Sequence, residues 1–158
     1  MKELYLALKA ILTQELEQIA HINKWNNQLV NLLDEVPFAR PAIFIEIEPV
    51  QWSPVNKRLK KGTISIVFHI VTDSYDTFAD DTDGLEALAL TDTITAFLET
   101  IYIPKCTPFI NENTVLDNDH GNLIENKLTF TTEYTKCVGN SKNYQEVTPD
   151  LDITKEIN

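Results

Sequence analysis

The stretch Thr63-Ile64-Ser65-Ile66-Val67-Phe68-His69-Ile70-Val71-Thr72-Asp73 decides the fold. It is rich in β-branched residues and alternates, with Ile64, Ile66, Phe68 and Ile70 on one side and Ser65, Val67, His69 and Val71 on the other. A strand with this pattern has one purely apolar face and a second, mixed face that is partly covered. Upstream, AIFIEIEPV from Ala42 repeats the period, Ile43, Ile45 and Ile47 opposing Phe44, Glu46 and Glu48. Downstream, PFINENTVL, the turn-forming Asp117-Asn118-Asp119-His120-Gly121-Asn122 and LIENKLTFTTEYTKCV read as a β-hairpin. In its second strand Ile124, Leu128, Phe130 and Tyr134 oppose Glu125, Lys127, Thr129, Thr131, Glu133 and Thr135, which predicts a sheet with one wet face.

Two helical periods flank these strands. Leu4, Leu8, Ile11, Leu12 and Ile19 recur at helical spacing, with Tyr5 and Leu16 at the stripe's edge, predicting a helix over roughly 2–19. A second helix is expected over roughly 83–100, capped by Asp81 or Asp83. Its main stripe is Ala87, Leu90, Ile94, Phe97, Leu98 and Ile101. A further stripe, Leu85, Leu88, Ala89 and Ala96, lies across the helix, so this helix is either sandwiched or presents one side to a neighbouring subunit. Residues 21–36 show no clear period, and Pro37 and Pro41 end any helix there. Trp25 and Trp52 close the ends of the core or, at a surface, anchor an interface. Layer rules turn this order into an α+β two-layer domain over 1–138, with about four mainly antiparallel strands and two helices packed on one face. Residues 139–158 hold few large apolar side chains and are expected to be an extended or disordered tail that orders only against a partner.

The composition restricts the function. The 158 residues are 43% hydrophobic and carry 24 acidic against 13 basic side chains, a formal charge of −11. That length suits one domain with a real core. The acidity argues against a free-standing duplex DNA binder, which needs a basic surface to displace counterions. Lys9, Glu15 and Glu17 interrupt the apolar residues at the start before a signal-peptide core can form. No apolar run reaches the length of a membrane span. Cys106 and Cys137 lack zinc-like spacing and, with a hairpin turning near Asp119, miss each other across the strands, so they read as reduced thiols of a protein made in a cytoplasm.

Motifs for chemistry are scarce. Asp73, Asp76, Asp80, Asp81, Asp83, Glu86 and Asp92 form an acidic stretch, but a calcium loop built on Asp81-x-Asp83-Gly84 would need acids where Ala79 and Leu90 stand. Helix capping and a solvated loop explain the acids without a metal. None of His21, His69 and His120 has a Cys or second His at ligand or triad spacing, and His69, inside a strand, reads as a satisfied structural residue. No nucleophile motif or phosphate-cradling glycine loop is present. The expectation is a non-enzyme with no catalytic residues, no metal and no cofactor. Against this background Lys57, Arg58, Lys60 and Lys61 depart from the overall charge. They form either a solvated loop tip, or a surface that pairs with an acidic neighbour, or, less well without interleaved aromatics, a nucleic-acid contact.

Taken in order, the opening helix, Trp25-Asn26-Asn27-Gln28, the run Val36 to Glu46 leading to Trp52, the strand 64–73, the helix from about Leu85 and the hairpin ending Leu128 to Tyr134 resemble one family. It is the tail terminator (tail-completion) family of long-tailed bacteriophages, in particular a branch in phages and prophages of Bacteroidetes-type hosts. The resemblance covers about 1–138 and rests on element order, since the family has no catalytic signature. It implies a structural virion protein made in the bacterial cytoplasm that assembles, typically as a hexameric ring, on the finished end of the tail tube. There it stops tube polymerisation and offers a surface to head-completion or neck proteins, with DNA only in transit and no membrane contact. Candidate subunit or tube interface residues are Lys57, Arg58, Lys60, Lys61, Leu85, Leu88, Ala89 and Ala96. The chain departs from shorter members in the connection 53–62 and the tail after Val138. Alternatives are another neck or head-tail connector ring protein, or a soluble ligand- or metal-binding module using the acidic 73–92 segment.

Overall fold

A computed structural model describes residues 1–29, 38–73, 82–120 and 123–138. The elements run α1 (Lys2–Glu15), β1 (His21–Lys24), β2 (Ala42–Ile47), β3 (Ser53–Pro54), β4 (Leu59–Asp73), α2 (Thr82–Thr100), β5 (Ile110–His120) and β6 (Leu123–Cys137). The described strands form one mixed sheet in the order β1-β2-β4-β6-β5, with β3 paired to the start of β4. The α+β architecture expected from the sequence is therefore observed, with two strands beyond the four that alternation reveals.

The sheet is organised by β4 and β6, which pair antiparallel along their full length from Leu59↔Cys137 to Asp73↔Leu123. A slip of one residue would turn Ile64, Ile66, Phe68 and Ile70 away from the core, so their burial holds the register. Both helices lie on that face. Leu4, Leu8 and Leu12 of α1 and Ile94 and Leu98 of α2 join Ile43, Ile45, Leu128 and Phe130 in one buried cluster. Phe68 and Phe130 meet edge to face at 5.8 Å within it. Burying an aromatic side chain of this kind stabilises the fold by about 1.5–3 kcal/mol.

Several boundaries differ from the sequence reading. α1 stops at Glu15, not near residue 19; Leu16 leaves helical geometry, though Leu16 and Ile19 remain buried. The chain then turns so that Ala20 N–H donates to the Pro41 carbonyl, and β1 starts parallel to β2 with His21 opposite Ala42. Asp83 falls inside α2, whose first residue is Thr82; Asp81, the other proposed cap, lies outside the described residues. So do Asp76 and Asp80 of the acidic loop and the whole of 139–158. The basic connection is not a loose loop, because β4 begins at Leu59 and folds back on β3 as a tight hairpin.

That hairpin depends on Gly62. A Cβ there would lie 2.6 Å from the Gln51 carbonyl oxygen and 2.8 Å from Val50 Cγ1, so the chain ahead of β3 crosses against bare backbone. The Gly62→Ala variant is expected to lose about 1–3 kcal/mol of stability in denaturant unfolding. An unchanged midpoint would contradict the close crossing.

The predicted wet face is only partly wet. Opposite the helices, Leu29, Ala42, Phe44, Val71 and Leu123 form a second buried cluster, flanked by Trp25 and Phe38. The Trp25 N–H donates to the Ile45 carbonyl at the end of β1, which places its indole over this face.

Candidate functional site

Under Trp25 lies a chain of ionisable side chains running across the sheet. His69 of β4 is 4% exposed, and the Trp25 ring stacks on its imidazole at 3.8 Å with the planes 5° apart. Its Nδ1 lies 2.5 Å from Glu125 Oε1 and its Nε2 lies 3.0 Å from Glu46 Oε2. Glu125, 1% exposed, is also 3.2 Å from Lys127 Nζ, which donates to Asp117 Oδ2 at 2.9 Å. Burial alone would push the Glu125 carboxyl up, but its hydrogen bond and attraction to His69, with the Lys127 ammonium, outweigh this and hold it low. The bond to Asp117 is the main reason Lys127 is raised.

A catalytic histidine needs one ring nitrogen open to a reacting group. Both nitrogens of His69 face carboxylates and one ring face is covered by Trp25. The arrangement cross-links β2, β4, β6 and β5 and fits the structural role expected of His69.

The basic candidates sit at the β3–β4 tip. Asn56 Oδ1 accepts the N–H groups of Arg58 and Leu59 at 2.8 and 2.9 Å, which shapes the turn. Lys57, Arg58, Lys60 and Lys61 are all exposed, and Lys61 reaches Glu133 at 3.3 Å. The pairing also sets Lys60 directly opposite Lys136, whose ammonium lies over the Trp52 ring at 5.8 Å. Lys136 therefore enlarges the patch. Sequence reasoning missed it because its proximity depends on β6 running as far as the tip, where Val138 N–H donates to the Arg58 carbonyl.

The apolar candidates are exposed as well. On α2, Ala87, Ile94 and Leu98 point into the core while Leu85 is 62% and Leu88 50% exposed, with Ala89 and Ala96 exposed beside them. The stripe points away from the core side of the helix. A third open surface is the outer edge of β5, where Ile110, Val115 and Leu116 are 60%, 44% and 51% exposed. A cleft of about 350 Å³ between the start of α1 and the β1–β2 edge is lined by Met1, Lys2, Tyr5, Lys24, Ile45 and Ile47 and gathers no acid–base pair.

Among the described residues no group of three or more His, Cys, Asp or Glu side chains is arranged to hold a metal ion. Cys106 and Cys137 are both free thiols, and burial pushes the Cys106 thiol up. No described helix is long and apolar enough to cross a membrane. Comparison with protein-family models and with curated proteins finds no match to this chain.

Proposed function

We propose that the chain is a structural subunit of a bacteriophage tail terminator ring, which caps the tail tube, ends its polymerisation and presents a surface for head-tail joining. The observation that carries this reading is a domain with a closed core that still leaves unlike surfaces open: the outward stripe of α2, the β5 edge and the basic tip. A ring needs a heterologous contact in which one patch meets a different one, and a self-matching patch would close a dimer instead. The element order behind the family resemblance supports the same reading, and a buried histidine with both nitrogens engaged gives no ground for catalysis.

The charges fit the role. An overall −11 leaves a passage through such a ring repulsive to transiting DNA, while the exposed tip gives each acidic subunit one cationic surface for a neighbour or tube protein. Lys60 and Lys136 face each other across β4 and β6, a pairing of like charges that an incoming carboxylate would relieve. Reversing the tip with Lys57→Glu and Lys60→Glu is expected to leave the unfolding transition in place and lower the yield of finished tails at least tenfold. Normal yield from a folded double variant would contradict the proposed contact.

A further inference from the structure

Two exposed surfaces of this chain carry opposite charge, and neither is neutralised where it stands. On α2, Leu85, Leu88, Ala89, Asp92, Ala96 and Glu99 fall within about 100° of one another around the helix axis, and all six are exposed. The helix contains no lysine or arginine. Glu99 stands in its last turn, where the macrodipole already favours a cation. At the basic tip, Lys60 and Lys136 face each other across β4 and β6, with Lys57 exposed in the adjoining turn. Val55 and Val138 add exposed apolar surface there. Among the described residues Lys57, Lys60, Asp92 and Glu99 take part in no ion pair.

We infer that the basic tip of one copy docks on the outer face of α2 of the next, cations toward Asp92 and Glu99 and valines toward Leu85 and Leu88. The contact answers what each surface lacks. A carboxylate arriving between Lys60 and Lys136 relieves the repulsion of that pair, and an ammonium arriving at Glu99 complements the helix end. Burial of the exposed leucines supplies attraction, while the charges fix orientation and partner. Two tips facing each other, or two α2 faces, would set like charges together, which opposes a self-matching dimer through either surface alone. Tip against helix is a heterologous pairing that repeats from subunit to subunit. The inference rests on the ring reading and deepens it by naming the two surfaces that meet.

Two full-length variants test it: Lys57→Glu with Lys60→Glu at the tip, and Asp92→Lys with Glu99→Lys on α2. All four side chains are exposed, so both variants are expected to fold. Each double reversal shifts the net charge of −11 by four, to −15 and −7, so both proteins stay acidic and overall attraction cannot draw them together. In sedimentation each variant alone is expected to self-associate about tenfold or more weakly than the parent, because its tip and helix face then share one sign. An equimolar mixture is expected to regain the parental association, since the reversed tip meets the reversed helix and the native tip meets the native helix. Undiminished association of either variant alone, or a mixture that fails to recover, would overturn the contact while leaving the ring reading to be measured on tubes. A parent that stays monomeric at every concentration would also count against it, since any ring would then be built by the tube. Recovery that stops at a complex of two copies would support the contact and overturn the ring.

Discussion

The Glu125→Gln variant is expected to be less stable than the parent by about 2–3 kcal/mol at neutral pH, because it loses the buried carboxylate that His69 and Lys127 share, although Glu46 and Asp117 still face them. Glu125 sits between the His69 imidazole and the Lys127 ammonium, almost wholly out of water. Glutamine keeps the shape but not the charge, and its amide N–H groups would face one of two donors. The pH dependence follows from the lowered carboxyl. A group whose folded value lies below its unfolded value contributes fully above the latter, here near the ordinary 4.5, and loses that contribution as pH falls through the folded value. The gap between parent and variant is therefore expected to be flat from pH 7 to about 5 and to narrow in stronger acid. Chemical denaturation at a series of pH values measures it. A gap near zero at pH 7, or one that widens in acid, would show that His69 and Lys127 do not hold an ionised Glu125.

The second large effect concerns assembly. Leu85→Asp with Leu88→Asp changes two exposed side chains on the outer side of α2. Aspartate is a poorer helix former than leucine by about 0.5 kcal/mol per site, partly offset near a helix start by the macrodipole. Unfolding is thus expected to move by no more than about 1 kcal/mol. At a subunit contact the same carboxylates would be stripped of water opposite apolar groups, and burying an unpaired carboxylate costs several kcal/mol. In the proposed ring the loss repeats at every contact, so, on that proposal, ring formation on tubes is expected to fall by more than a hundredfold. Sedimentation and tube binding of the folded variant give the answer; undiminished assembly would remove the α2 stripe from the interface.

Much of this architecture is legible from residue periods. The strands around Ile43, Ile66 and Phe130 and the core stripes of both helices follow from alternation and helical spacing, because each side chain there is buried by its own element's geometry. β1 is not legible in the same way. Its four residues His21–Lys24 bury only Ile22, and they form a strand through parallel pairing with β2. The His69 network is hidden for a related reason: Glu125 is 56 positions away, and Glu46 comes from a third strand. The mixed face of β4 hints that something covers it, but register alone brings Glu125 within reach of His69. Lys136 likewise joins the basic tip through the length of β6, while the exposed α2 stripe is visible in the sequence as apolar residues on the side away from the core.

The most direct measurement of the central proposal is the length distribution of tail tubes polymerised from purified tube protein encoded beside this chain, imaged by electron microscopy with and without it. On the proposed function, added chain is expected to form a ring at one end of each tube and halt growth, so that tubes become shorter as its concentration rises. Tubes of unchanged length without terminal rings, at concentrations where the chain is folded, would contradict it.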